Sequence, residues 1–109
     1  MYTMTDPLQK ALETIVRISD PDRVILFGSR ARDSETPESD YDLLVLKKGV
    51  KKRRRLAQKI YLNFVQIGAP IDIIISDLLV YEELKKDTFH IFNIISFEGI
   101  IIYDKSRGD

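Results

Sequence analysis

From Leu26 to Leu46 the chain reads LFGSRARDSETPESDYDLLVL: an apolar run ends in Gly28-Ser29, a spacer of ten residues follows, and Asp40-Tyr41-Asp42 opens a second apolar run. Val24 to Phe27 is short, apolar and partly β-branched, so it reads as a buried strand, and Tyr41 to Leu46 reads as a second strand. Gly28 stands where the lack of a Cβ permits a tight turn out of the first strand. Ser29 to Asp33 then reads as a short helix and Ser34 to Ser39 as a loop.

The remaining segments alternate in the same manner. Thr5-Asp6-Pro7 has the chemistry of a helix start, and Leu8, Leu12, Ile15 and Val16 form one stripe of a helix ending near Ser19. Lys47-Lys48-Gly49 ends the second strand. From about Lys51 to Val65, Leu56, Ala57, Ile60, Tyr61 and Phe64 recur at helical spacing. Gly68 and Pro70 precede a strand from Ile71 to Ile75. Ser76-Asp77 caps a helix to about Lys86, Thr88 to Phe97 reads as another that Gly99 stops, Ile100 to Tyr103 is a last strand, and KSRGD is a solvated tail. Helices alternating with strands imply an α/β (α+β) fold, a mixed sheet of about four strands covered by helices.

A chain of 109 residues is read as a single domain over 1–109, with a substrate pocket that is shallow or shared with another chain. Lysine plus arginine balance aspartate plus glutamate at 17 each, so nothing global marks it for nucleic acid or an anionic membrane. The absence of cysteine excludes thiolate zinc sites and cysteine nucleophiles and fits a cytoplasmic location. MYTMTDPLQK has no signal-peptide pattern, and no apolar stretch approaches the roughly 20 residues of a membrane span.

On a strand, residues i and i+2 share a face, which sets Asp40 and Asp42 about 7 Å apart. Two like charges so close are unfavourable without compensation, and a shared cation would supply it. Seen alone, the pair also fits an ordinary polar turn. Asp72 is the single charge in PIDIIIS and calls for an exposed edge, a cationic partner or a metal. If its strand lies beside that of Asp42, three carboxylates converge, the oxygen-rich set that suits two Mg²⁺ or Mn²⁺ ions. Gly28 and Ser29 could present amides and a hydroxyl to the β- and γ-phosphates of a triphosphate at a helix start, or form only a capped strand-to-helix turn. Arg30 and Arg32 have the planar fork of donors that suits phosphate, although Arg32 could equally pair with Asp33 or Glu35.

Gly28-Ser29, ten residues, Asp40-Tyr41-Asp42 and then Asp72 on a later strand resemble the polymerase-β-like nucleotidyltransferase superfamily, and LFGSRAR followed by SDYDLLV is similar to its minimal nucleotidyltransferase (MNT) domains. The resemblance spans nearly the whole chain. It implies the polymerase-β-like nucleotidyltransferase fold and Mg²⁺-dependent transfer of AMP from ATP to a hydroxyl. Asp40, Asp42 and Asp72 match the catalytic, metal-holding positions, and Gly28 and Ser29 match the triphosphate-binding positions. It further implies the antitoxin of a toxin-antitoxin module, with a helical HEPN-type toxin as the partner that is AMPylated. The sequence departs from the pattern at Asp33, where glycine commonly follows GSRAR.

Two other functions remain as alternatives: a non-catalytic antitoxin acting by direct contact, and a small-molecule nucleotidyltransferase, disfavoured because no second substrate domain follows Tyr103. A site completed by a second copy of the chain also stays open. The basic run KKGVKKRRR lacks interleaved aromatics for base stacking and reads as a solvated helix face rather than a nucleic-acid site. His90, the only histidine, reads as a packing or edge residue, and Tyr41 as a core residue on the face opposite its flanking acids.

Overall fold

The computed structural model describes residues 3–107. Thr5 accepts a hydrogen bond from the Leu8 amide and starts α1 (Asp6–Ser19), which ends where Asp20 turns left-handed at φ 45°. Then follow β1 (Arg23–Phe27), β2 (Tyr41–Leu46), α2 (Arg53–Leu62), β3 (Ile71–Ser76), α3 (Leu78–Leu84), α4 (Ile91–Glu98) and β4 (Ile100–Asp104). The sheet order is β3-β2-β1-β4. β1 runs antiparallel to both neighbours, and β2 and β3 are parallel, joined by a crossover through α2.

Alternation along the strands divides the core into two layers. Val24, Leu26, Tyr41, Leu43, Val45, Ile73 and Ile75 pack against Leu8 and Ile15 of α1 and Ile60 of α2. Ile25, Leu44 and Leu46 face Tyr81 of α3 with Phe92 and Ile95 of α4. Covered on both faces, the central strands β1 and β2 read as near-continuous apolar runs. β3 lies at the edge, and there Asp72 and Ile74 are exposed while Ile73 and Ile75 are buried. No described helix is long and apolar enough to cross a membrane.

Several element ends differ from the sequence expectations. α2 begins at Arg53 rather than near Lys51: its cap position, Lys52, makes no side-chain bond, and no acid offsets the basic residues at the positive helix end. It also stops at Leu62, short of Val65. α4 begins at Ile91 rather than Thr88, because His90 caps it, Nδ1 accepting from the Phe92 amide at 3.0 Å. Gly99 does end α4, but with φ −72°; its size matters instead, since a Cβ there would lie 2.6 Å from Ile25 Cγ2 and from the Ile95 carbonyl. The tail read as solvated is exposed from Lys105 to Arg107 and forms a short 3-10 turn there, with Lys105 paired to Asp20 at 3.1 Å, while Gly108 and Asp109 fall outside the described residues.

Asp77 joins two elements. Its carboxylate accepts from the Gly49 amide after β2 at 2.8 Å and from the Leu79 and Val80 amides at the start of α3. Those amides hold the carboxyl below its ordinary range, Gly49 most strongly. The stabilisation is therefore complete near neutrality and is lost as pH falls through that lowered range. Asp77→Ala should lower the thermal midpoint at pH 7, and scanning calorimetry should show the difference from the parent chain narrowing in acid.

Candidate active site

The antiparallel register places Phe27 opposite Asp42, so the residue after β1 meets the start of β2. Gly28 there has φ 78°, and a Cβ on it would collide with Asp42 Oδ2 and lie 3.1 Å from Asp42 Cγ. Handedness and space both demand glycine. The two halves of the sequence motif thus come into contact.

The residues after Gly28 correct one expectation. Ser29 to Asp33 is a hydrogen-bonded turn, not a regular helix: the Ala31 and Arg32 amides return to the Gly28 carbonyl, and the Ser34 amide reaches the Ser29 carbonyl at 3.0 Å. That last bond spans five residues around Asp33, which is left-handed at φ 58°, the geometry that terminates a helix after a single turn. Alanine and arginine favour helix, but the left-handed closure stops it before it propagates. The Asp33 position therefore suits glycine on backbone grounds, and aspartate tolerates it at a cost. Asp33→Gly should stabilise the chain by about 1 kcal/mol, read as a shift of the urea midpoint at constant slope.

The parallel register pairs Asp42 with Asp72 on adjacent strands, and Asp40 lies two residues before Asp42. Asp42 and Asp72 are on the sheet face of Leu44, beyond the part that α3 and α4 cover. Asp72 is solvent-exposed, so its edge position avoids the burial cost expected of a charge among isoleucines. Burial first, then the charges of Asp72 and Asp40, hold the Asp42 carboxyl above its usual range, with Arg32 opposing. Among the described residues no three acidic, histidine or cysteine side chains converge closely enough, as they stand, to hold one ion. The donor set nevertheless fits a hard divalent cation: three carboxylates at neighbouring backbone positions, whose charges are felt at Asp42.

Ser29 is half-buried, and among the described residues neither its N–H nor its hydroxyl is taken up by another group. Arg30 is partly committed: its Nε donates to the Ser39 carbonyl at 3.1 Å, and its guanidinium lies 4.0 Å over the Tyr41 ring. Arg32 pairs with Glu98 of α4 at 3.6 Å rather than with Asp33 or Glu35. Tyr41 is buried, as expected, and its hydroxyl bonds Thr5 at the head of α1.

One residue of the site was visible in sequence only as part of the α2 stripe. The Tyr61 hydroxyl accepts from the Ile73 amide at 2.7 Å, closing part of the open edge of β3. Burial, reinforced by the adjacent Asp72 charge and opposed by the Ile73 bond, raises its pKa. The signal available was a phenol among otherwise apolar positions of that stripe.

A four-stranded mixed sheet with helices on both faces, a glycine-serine turn leaving one central strand and paired aspartates opening the next defines the nucleotidyltransferase fold. A sequence model of the nucleotidyltransferase domain matches residues 8–102, and the chain belongs to that family. A candidate nucleotidyltransferase from Sulfolobus solfataricus superposes with a TM-score of 0.59 at 18% identity, covering 99% of this chain and 96% of that one. A toxin-antitoxin structure with AMP-PNP gives a TM-score of 0.51 at 17% identity, covering 91% of this chain and 75% of that one. No curated protein sequence matches.

Proposed function

We propose that this chain is a Mg²⁺-dependent nucleotidyltransferase that moves AMP from ATP to a hydroxyl on a HEPN-type partner toxin, serving as the antitoxin of the pair. The observation that carries the reading is the contact of Gly28 with the Asp42 carboxylate, in a register that sets Asp72 beside Asp42. That one arrangement joins a close-approach turn to an acidic triad. The toxin-antitoxin neighbour with AMP-PNP supports both the nucleotide and a protein partner.

In this reading the free Ser29 N–H and hydroxyl bind the β- and γ-phosphates, with Gly28 allowing them to approach the backbone. Asp40, Asp42 and Asp72 would hold Mg²⁺, or Mn²⁺, which supplies charge neutralisation on the phosphates and activation of the acceptor hydroxyl. The acceptor hydroxyl gives up its proton to solvent as its oxygen bonds the α-phosphorus, the bond to the bridging oxygen breaks, and pyrophosphate departs on the side of the Gly28-Ser29 turn.

The test is to incubate the chain with α-labelled ATP, Mg²⁺ and a helical HEPN-type protein as acceptor. Label should enter that protein. Protection from the toxin that persists in a D40N/D42N double variant would contradict transfer as the mechanism.

A further inference from the structure

We propose that Arg30 is a positioning residue for Asp40, acting through both of its chain neighbours rather than as a phosphate ligand. The proposal rests on the reading of Asp40 as a metal-holding acid. Asp40 is exposed, and among the described residues its carboxylate has no ion pair and no hydrogen bond. Its placement is therefore set by its backbone. Arg30 holds the residues on either side of Asp40: Nε donates to the Ser39 carbonyl at 3.1 Å, and the guanidinium carbon lies 4.0 Å over the centroid of the Tyr41 ring. Each grip has its own support. Ser39 closes a turn with Thr36, through Ser39 N to the Thr36 carbonyl and Thr36 N to Ser39 Oγ. Tyr41 is fixed by its amide on the Pro70 carbonyl at 3.0 Å and its hydroxyl on Thr5 at 2.6 Å.

A guanidinium suits both jobs, because its Nε can donate to a carbonyl while its delocalised charge sits over an aromatic ring. Lysine has neither the fork nor the plane. The clamp also links the Gly28-Ser29 turn to the acidic pair, since Arg30 follows Ser29 directly.

The test uses the whole chain with R30Q, R30K and Y41L. Binding of Mn²⁺ alone is followed by loss of the free-ion EPR signal, and binding of AMP-PNP is followed separately in EDTA. The clamp predicts that R30Q and R30K weaken Mn²⁺ binding alike, by about tenfold, with AMP-PNP binding in EDTA unchanged. Y41L, checked for folding by its thermal midpoint, should weaken Mn²⁺ similarly; if it does not fold, the two Arg30 variants decide. Unchanged Mn²⁺ affinity in R30Q, or weakened AMP-PNP binding that R30K restores, would overturn the clamp while leaving the acidic site standing. A parent chain that binds no Mn²⁺ would overturn the acidic-site reading and the clamp with it.

Discussion

Asp42→Asn should reduce the proposed AMP transfer by about three orders of magnitude or more, equivalent to about 4 kcal/mol of lost transition-state stabilisation. Asp42 is the centre of the acidic group: it pairs with Asp72 across the parallel strands, follows Asp40 by two residues and lies against Gly28. An amide keeps the shape but supplies neither the charge nor a second anionic oxygen to a divalent cation. Stability should move the other way. Burial and its two acidic neighbours hold the Asp42 carboxyl above its ordinary range, so its ionised form at neutral pH opposes folding, and that penalty fades as pH falls through the raised value. The variant should therefore lose transfer and gain in thermal midpoint. A loss of activity caused by unfolding would lower that midpoint instead, so calorimetry beside the transfer assay separates the two causes.

Gly28→Ala is expected to damage both the stability of the chain and the proposed site. The added Cβ would sit in a left-handed conformation and collide with the carboxylate of Asp42. The two effects together should destabilise by about 2–4 kcal/mol, a large part of the stability of a small domain. Relief comes either by moving Asp42 or by tilting the turn, and both displace parts of the proposed site. Transfer should fall by about a hundredfold or more in the fraction that remains folded. Gly49→Ala provides the comparison: it has the same handedness, at φ 77°, but nothing lies within 4 Å of its added Cβ. It should lower stability and leave transfer intact.

Much of the fold was legible because the central strands are covered on both faces and so advertise themselves as short aliphatic runs. The first helix announced its own cap at Thr5. Less legible was whatever depends on residues distant in sequence. Arg32 shows this well: sequence offers only its local acids, whereas its partner Glu98 comes from the other end of the chain. The sequence reads His90 as a packing or edge residue, and its capping of α4 depends on a ring nitrogen meeting one particular amide. The sequence reads Ser29–Asp33 as a short helix, while a left-handed residue at its fifth position decides otherwise. That same position accounts for the one departure from the family pattern, since glycine and aspartate answer a common backbone demand.

For the site, the order Gly-Ser, Asp-x-Asp, then Asp72 was readable, and the sheet added the register that makes neighbours of Asp42 and Asp72. The charge of Asp72 carried less weight than the sequence suggested, because an edge strand tolerates it. Its position opposite Asp42 carries more.

In the proposed function, Gly28-Ser29 and the three aspartates act together on a metal-bound triphosphate. Titration calorimetry of AMP-PNP into the parent chain and into D42N and D72N, with and without Mg²⁺, tests it most directly. Mg²⁺ should tighten AMP-PNP binding by about tenfold or more in the parent and leave both variants unaffected. Binding that responds equally to Mg²⁺ in all three chains, or that is absent from the parent, would contradict it.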